Sequence, residues 1–245
     1  MELGQHISQR YNEELEEIRS NVLRMGGLVE KQTTNAINAL LNRDADLARK
    51  VIESDDAINQ LEIEIDEECT RVIAKRQPAA SDLRLVIAVV KVITDLERIG
   101  DEAEKIGRYS KKLAKKKTVN DIHSELSHLG EIVTQVLQDS LNAFARLNAN
   151  DAMRILGTEK AVNREFDTIS RLLITHMMED PRNIKSVLRV TWCARSLERI
   201  AEHSQNIAEY VIYLVKGKDV RHSNLSEIRE KYFPHDNDEE ESLDR

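Results

Sequence analysis

Aromatic residues are scarce in this 245-residue chain: one Trp, five Tyr and three Phe, 4% in all. So few rings leave little for a base-stacking platform on single-stranded nucleic acid. Glycine and proline number only 8 and 3, too few for a turn-rich β-sandwich, a glycine-rich nucleotide fold or a long disordered chain. Basic residues are outnumbered, 36 Lys and Arg against 44 Asp and Glu, leaving a net charge of −8. Binding through a nucleic-acid backbone needs a basic footprint that displaces counterions, so no direct nucleic-acid partner is expected. No apolar run approaches the ~20 residues that cross a bilayer. The most apolar stretch, Leu85 to Ile93, holds Lys91 and stops at Asp95. The start, Met1-Glu2-Leu3-Gly4-Gln5-His6, lacks the basic and apolar segments of a signal peptide. Cys69 and Cys193 sit far apart without a partner motif, which points to buried free thiols in a reducing cytoplasm. A cytoplasmic location is expected.

What the chain has is helix. Leu47, Val51, Ile58, Leu61, Ile65, Cys69 and Val72 keep the three- and four-residue spacing of one helix face. Leu85, Val89, Val92, Leu96, Ile99, Ala103 and Ile106 form a stronger stripe, after a break at Arg76-Gln77-Pro78-Ala79-Ala80-Ser81-Asp82. Pro78 discourages helix at Gln77, and Ser81 or Asp82 is placed to cap the next helix. Met25, Leu28, Ala36, Ile37, Leu40 and Leu41 mark an earlier helix ending near Asn42-Arg43-Asp44. The second half has the same order. A helix from Leu126 to Phe144 ends near Asn148 to Asp151, one stripe runs Ile155, Val162, Phe166, Ile169, Leu172 and Leu173, and another runs from Val187 to Leu214.

The halves also match residue by residue. Leu96-Glu97-Arg98-Ile99 recurs as Leu197-Glu198-Arg199-Ile200, and Ile106 and Tyr109 recur as Ile207 and Tyr210. Two long units point to a duplicated three-helix bundle; a solenoid needs at least ~3 shorter ones. The expected fold is all-α: a first bundle over 1–118, a second over 119–217, then a short helix near Leu225 to Phe233 and an acidic tail. The division falls near Lys117 to Asp121. The tail, Pro234-His235-Asp236-Asn237-Asp238-Glu239-Glu240-Glu241, reads as solvated and disordered.

Carboxylates recur at matching places. Glu97 and Asp101 lie one turn apart on a helix whose other face is apolar, with Leu83, Ile87 and Val90 adding a second apolar side. On the preceding helix Asp55 and Asn59 share a face, continued by Glu62 and Asp66. The duplication supplies Glu198 and Glu202, with Glu159 and Asn163 on the neighbouring helix. One acidic pair at helical spacing is usually a solvated face. Four positions repeated in both halves set a divalent cation beside the solvated face as an open alternative, because clustered carboxylates repel unless a cation or proton neutralises them.

At these residues the sequence resembles the PhoU family, whose members carry paired Glu/Asp-x-x-x-Asp motifs in two three-helix repeats. Met25-Gly26-Gly27-Leu28-Val29-Glu30, Ala74-Lys75-Arg76-Gln77-Pro78, Ser81-Asp82-Leu83-Arg84-Leu85, Leu96-Glu97-Arg98-Ile99-Gly100-Asp101, Met177-Met178-Glu179-Asp180 and Leu197-Glu198-Arg199-Ile200 carry the resemblance. It implies a non-enzymatic adaptor that joins a phosphate ABC transporter ATPase to a membrane sensor histidine kinase, and represses phosphate-starvation signalling when phosphate is plentiful. A homodimer is expected, touching the membrane only through its partners. The family motif falls on Glu97 and Asp101, Asp55 with Asn59, Glu198 and Glu202, and Glu159 with Asn163 as metal ligands, for Mg, Mn, Zn or Fe. Asn in place of an acid removes a charge, and Ala201 stands where Gly100 does, so the second set departs further from the motif.

Other polar groups read more plainly. Arg98 and Arg199 are expected to pair with the neighbouring carboxylates. His203, one residue after Glu202, points ~100° away and is expected on the surface. His123 and His128, five apart, make a poor metal pair. Arg108, Lys111, Lys112, Lys115, Lys116 and Lys117 suit a helix C-terminus. No glycine-rich phosphate loop, nucleophile elbow, zincin motif or paired CxxC supports an enzyme. The alternative, a carboxylate-bridged helical-bundle enzyme or metal store, lacks the Glu-x-x-His pairs of ferritin-like di-iron sites.

Overall fold

Residues 9–114, 123–221 and 223–233 are described in the computed structural model, and every regular element among them is helical. The first repeat is α1 (Gln9–Leu41), α2 (Ala45–Arg76) and α3 (Ala80–Leu113). The second is α4 (His123–Arg146), α5 (Ala149–Leu156), α6 (Glu159–Glu179) and α7 (Ile184–Lys216), followed by α8 (Leu225–Tyr232). The expected division between bundles, Lys115 to Lys117 and the acidic stretch after Phe233 lie outside the described residues. None of the described helices is long and apolar enough to cross a membrane.

Helix ends follow local chemistry. The Asp44 carboxylate accepts from the backbone N–H of Asp46 and Leu47, both at 2.9 Å, and opens α2. Asn148 opens α5 in the same way, through Asn150 and Asp151; such caps are each worth about 1 kcal/mol. Gln77, ahead of Pro78, ends α2 in the left-handed region at φ 49°. α3 starts earlier than expected, at Ala80, with no side-chain cap. Asp82 is instead buried and accepts from the Tyr11 hydroxyl at 3.1 Å. Burial, and then Asp82, push the Tyr11 phenol up to about 12.

α3 is the central helix, packed on α1, α2 and α7. Its stripe from Leu85 to Ile106 is buried as expected. The second buried line differs: Ile87 is 37% exposed, and Val86, Ile93, Gly100 and Gly107 take the place of Leu83, Ile87 and Val90. Gly107 lets α2 come close, since a Cβ there would meet Val51 Cγ1 at 3.0 Å and the Ala48 carbonyl oxygen at 3.1 Å. One hydrophobic core runs from α1 to α8. Both cysteines are free and buried within it, and burial pushes the Cys69 thiol up to about 12.

The two repeats are related by an approximate two-fold axis. A Cβ on Gly26 would meet Leu141 at 2.6 Å, and one on Gly130 would meet Ile37 at 2.8 Å. Each residue is matched 104 positions on (130 − 26 = 141 − 37), so α1 and α4 touch twice through equivalent contacts. The symmetry fails at one place. The stripe from Ile155 to Leu173, expected as one helix, is split into α5 and α6 at Gly157-Thr158. Glycine is a poor helix former, and the Thr158 hydroxyl bonds back to the Ile155 carbonyl at 2.7 Å, which closes the turn.

Candidate cation sites

In the first repeat the site forms where α1, α2 and α3 meet. Asp55, on α2, is 7% exposed. Its Oδ1 accepts from Gln32 Nε2 of α1 and its Oδ2 from Asn59 Nδ2, both at 3.1 Å. Gln32 also donates to the Val51 carbonyl at 3.3 Å. Both amides turn their NH2 groups to the carboxylate, which strands two carbonyl oxygens. Gln32 Oε1 and Asn59 Oδ1 are buried without a hydrogen-bond partner. A stranded buried acceptor costs ~1–3 kcal/mol, and an amide turned over would offer its oxygen instead of its NH2. Gly100 of α3 faces this pair: a Cβ there would lie 3.2 Å from Gln32 Oε1 and 3.3 Å from Asp55 Oδ1.

Glu97 and Asp101 border the same place. Burial first, then Asp101, Glu62 and Asp55, hold the Glu97 carboxyl above its usual range, against the field of Arg98. Burial and Asp66 do the same to Glu62. Asp101 is also 4.0 Å from Lys105 Nζ. Among the described residues no three His, Cys, Asp or Glu side chains converge as a ready ligand set. The donors that come together are a mixture of carboxylates and amides, which suits a hard or borderline divalent cation with water completing its shell. Two stranded oxygens and the glycine gap fit such an ion.

The second repeat does not. Arg195 pairs with Glu198 and reaches to 3.7 Å of Glu202 Oε1. Glu159 and Asn163 are exposed. Asp55 lies well inside α2, whereas Glu159 is the first residue of α6, just past the break. The split helix thus carries the second acid out to solvent. Where α1 offers Gln32, the residue 104 positions on in α4 is Val136, and where α3 has Gly100, α7 has Ala201. Arg199 turns to Glu102, at 3.1 Å, and not to the adjacent motif acids.

The PhoU domain model matches this chain twice, over residues 22–110 and 126–211. The chain belongs to the PhoU family. It is 52% identical to the phosphate-specific transport system accessory protein PhoU homolog of Pseudomonas aeruginosa, over 94% of this chain and 95% of that one. The crystal structure of PhoU from Pseudomonas aeruginosa superposes with a TM-score of 0.83 at 52% identity, covering 85% of this chain and 100% of that one. The phosphate transport system regulatory protein PhoU from Streptococcus pneumoniae superposes at 0.79 with 30% identity, covering 86% and 99%.

In this PhoU-family chain the α3–α7 seam holds a second set of polar residues that the sequence reading passed over. His203 was expected on the surface and is buried, with Nδ1 2.7 Å from Asp95 Oδ1. Asn206 Nδ2 donates to the same oxygen at 3.1 Å. One turn pair away, Ser196 Oγ donates to Glu102 Oε2 at 2.7 Å, and Arg199 and Lys105 each reach Glu102 Oε1 at 3.1 Å. Asp95 and Ser196 occupy equivalent positions, as do Glu102 and His203 (196 − 95 = 203 − 102), so the seam repeats one contact across the axis. The available signal was spacing. Each polar pair is seven residues apart, on one helix face inside an apolar pattern. Gln32 gives a similar cue, among Met25, Val29 and Ala36 on the buried side of α1.

Proposed function

We propose that this chain is a non-catalytic regulatory adaptor of phosphate homeostasis, accessory to a phosphate-specific transporter. It works by contact with the transporter's ATPase and with a membrane sensor histidine kinase, on the cytoplasmic side and as a homodimer, and it holds kinase output down when phosphate is plentiful. The observation that carries the reading is the family match over both repeats, together with near-complete coverage of a relative named as a transport accessory protein. A regulatory relative of the same fold adds to it. Apolar side chains left in water along α7, Ile184, Leu188 and Trp192, support a protein that acts through surfaces. A divalent cation, Mg, Mn, Zn or Fe, belongs to the proposal. Gln32, Asp55, Asn59, Glu97 and Asp101 would hold it, and its charge would neutralise the acids and tie three helices together.

A pull-down of the full chain from phosphate-replete cells tests the adaptor. The transporter ATPase and the sensor kinase are both expected in the eluate, and recovery of neither overturns the reading. Light scattering of the purified chain checks the dimer.

A further inference from the structure

The two repeats differ in what meets their equivalent acidic motifs. In the first, Asp55 accepts from two amides, Gln32 and Asn59, whose buried carbonyl oxygens have no donor. In the second, a guanidinium already lies on the motif acids. Arg195 pairs with Glu198, which is only 7% exposed, and extends to Glu202. Residue 195 aligns with Thr94 in the first repeat, whose short hydroxyl only bonds back to the Val90 carbonyl at 2.9 Å. Nothing comparable to Arg195 fills the first site from that position.

Three further exchanges close the second site. Gln32 becomes Val136, which has no oxygen to offer, and Gly100 becomes Ala201, which carries a Cβ where the first repeat has none. The break at Gly157-Thr158 leaves Glu159 exposed at the start of α6. An arginine cannot be deprotonated in proteins and presents a planar fork of N–H donors matched to carboxylates. It therefore stays charged at any physiological pH and neutralises Glu198 without a metal.

We propose that this chain binds one divalent cation and not two: the first repeat is a cation site with Gln32 as a ligand from α1, and the second is locked by Arg195 as a built-in counter-ion. The molecule is then asymmetric in a chemical sense despite its duplicated fold. Only one half responds to metal supply, and the other keeps its helix packing without it. The inference rests on the cation reading given above, and the two are separable by experiment.

Mn2+ binding to the full chain is measured by calorimetry and elemental analysis after dialysis, with circular dichroism as a check of folding. Wild type is expected to bind one equivalent. Glu97→Gln and Gln32→Leu are expected to weaken that site at least tenfold. Arg195→Thr, which installs the first-repeat residue, is expected to open a second, weaker class of site, and Glu97→Gln/Arg195→Thr to retain only that class. Two equivalents on the wild type, or no gain from Arg195→Thr in either background, overturn the lock. No binding to the wild type overturns the first-repeat site instead, while the Arg195→Thr chain still decides the second. A gain in thermal stability with Mn2+ that Arg195→Thr shows in the Glu97→Gln background, and Glu97→Gln alone does not, is the independent readout.

Discussion

His203 on α7 lies with Nδ1 2.7 Å from Asp95 Oδ1 on α3, inside the seam that joins the two repeats. Asp95 also accepts from Asn206, and Tyr210 hydrogen-bonds to it. Removing the acceptor strands several buried donors, whereas removing a donor leaves others in place. Asp95→Ala is therefore expected to destabilise the chain by about 3 kcal/mol or more, His203→Ala by about 2, and Ser196→Ala by about 1. Urea unfolding of the three variants checks the order, which reverses if the seam draws its strength mainly from Glu102.

Adjacent glycines on α1 are expected to behave in opposite ways. Gly27 has open space around its missing Cβ, so Gly27→Ala gains helix propensity, about 1 kcal/mol. A Cβ on Gly26 would meet Leu141 Cδ2, the far end of a flexible side chain, and Gly26→Ala comes out near neutral. Gly130→Ala would meet Ile37 Cγ2, which hangs directly from a β-branched carbon and turns aside poorly. That change is expected to cost about 1–3 kcal/mol. Melting temperatures of the three variants decide between local propensity and α1–α4 packing.

Glu209 ties stability to pH. Burial pushes its carboxyl up to about 7, with Asp219, Asp95 and Glu159 adding to the rise and Arg221 opposing it. The folded chain thus keeps a proton that the unfolded chain has already released above its ordinary carboxylate range. Stability should fall as pH rises from about 4.5 to about 7, by an amount on the order of 2 kcal/mol for this group. Glu209→Gln is expected to remove that part of the slope and to stabilise the chain at pH 8. Denaturation curves at pH 5, 6, 7 and 8 would refute this if both proteins lose stability in parallel.

Glu97→Gln should change sign with cation. Burial and three neighbouring acids disfavour its charge, so with chelator present the amide is expected to raise the melting temperature by a few degrees at neutral pH. With Mn2+ in excess the wild type should overtake it, because ligand binding stabilises only the chain that binds. Melts in the two buffers supply the check, and a variant that stays ahead in both removes Glu97 from the site.

The stripes that build α2, α3 and α7 were legible because helical periodicity is written locally, every three or four residues. The α5–α6 break was not. Gly157 and Thr158 only weaken a helix, and the surrounding stripe from Ile155 to Val162 carries on through them. Burial of His203 was hidden for a different reason. A helix packed on three sides has no single solvent face, so the direction of a side chain does not reveal what meets it. Asp55, Glu97 and Asp101 were singled out from their spacing; the structure bonds Asp55 to Gln32 and Asn59, and sets Asp55 and Asp101 near enough to Glu97 to raise its carboxyl. Gln32 was missed because it comes from a third helix, and Arg195 because it is three residues from the acid it neutralises, outside the motif.

The antiparallel seam also sets a length. The contacts of Asp95 with His203 and of Glu102 with Ser196 place the middle of α3 against the middle of α7, running in opposite directions. The turn before α3 and the turn before α7 therefore sit at opposite ends of a rod about 50 Å long, at 1.5 Å per helical residue. Two proteins that each grasp one of these equivalent tips stay a full domain diameter apart. For a change at one tip to be felt at the other, it must act over about 50 Å.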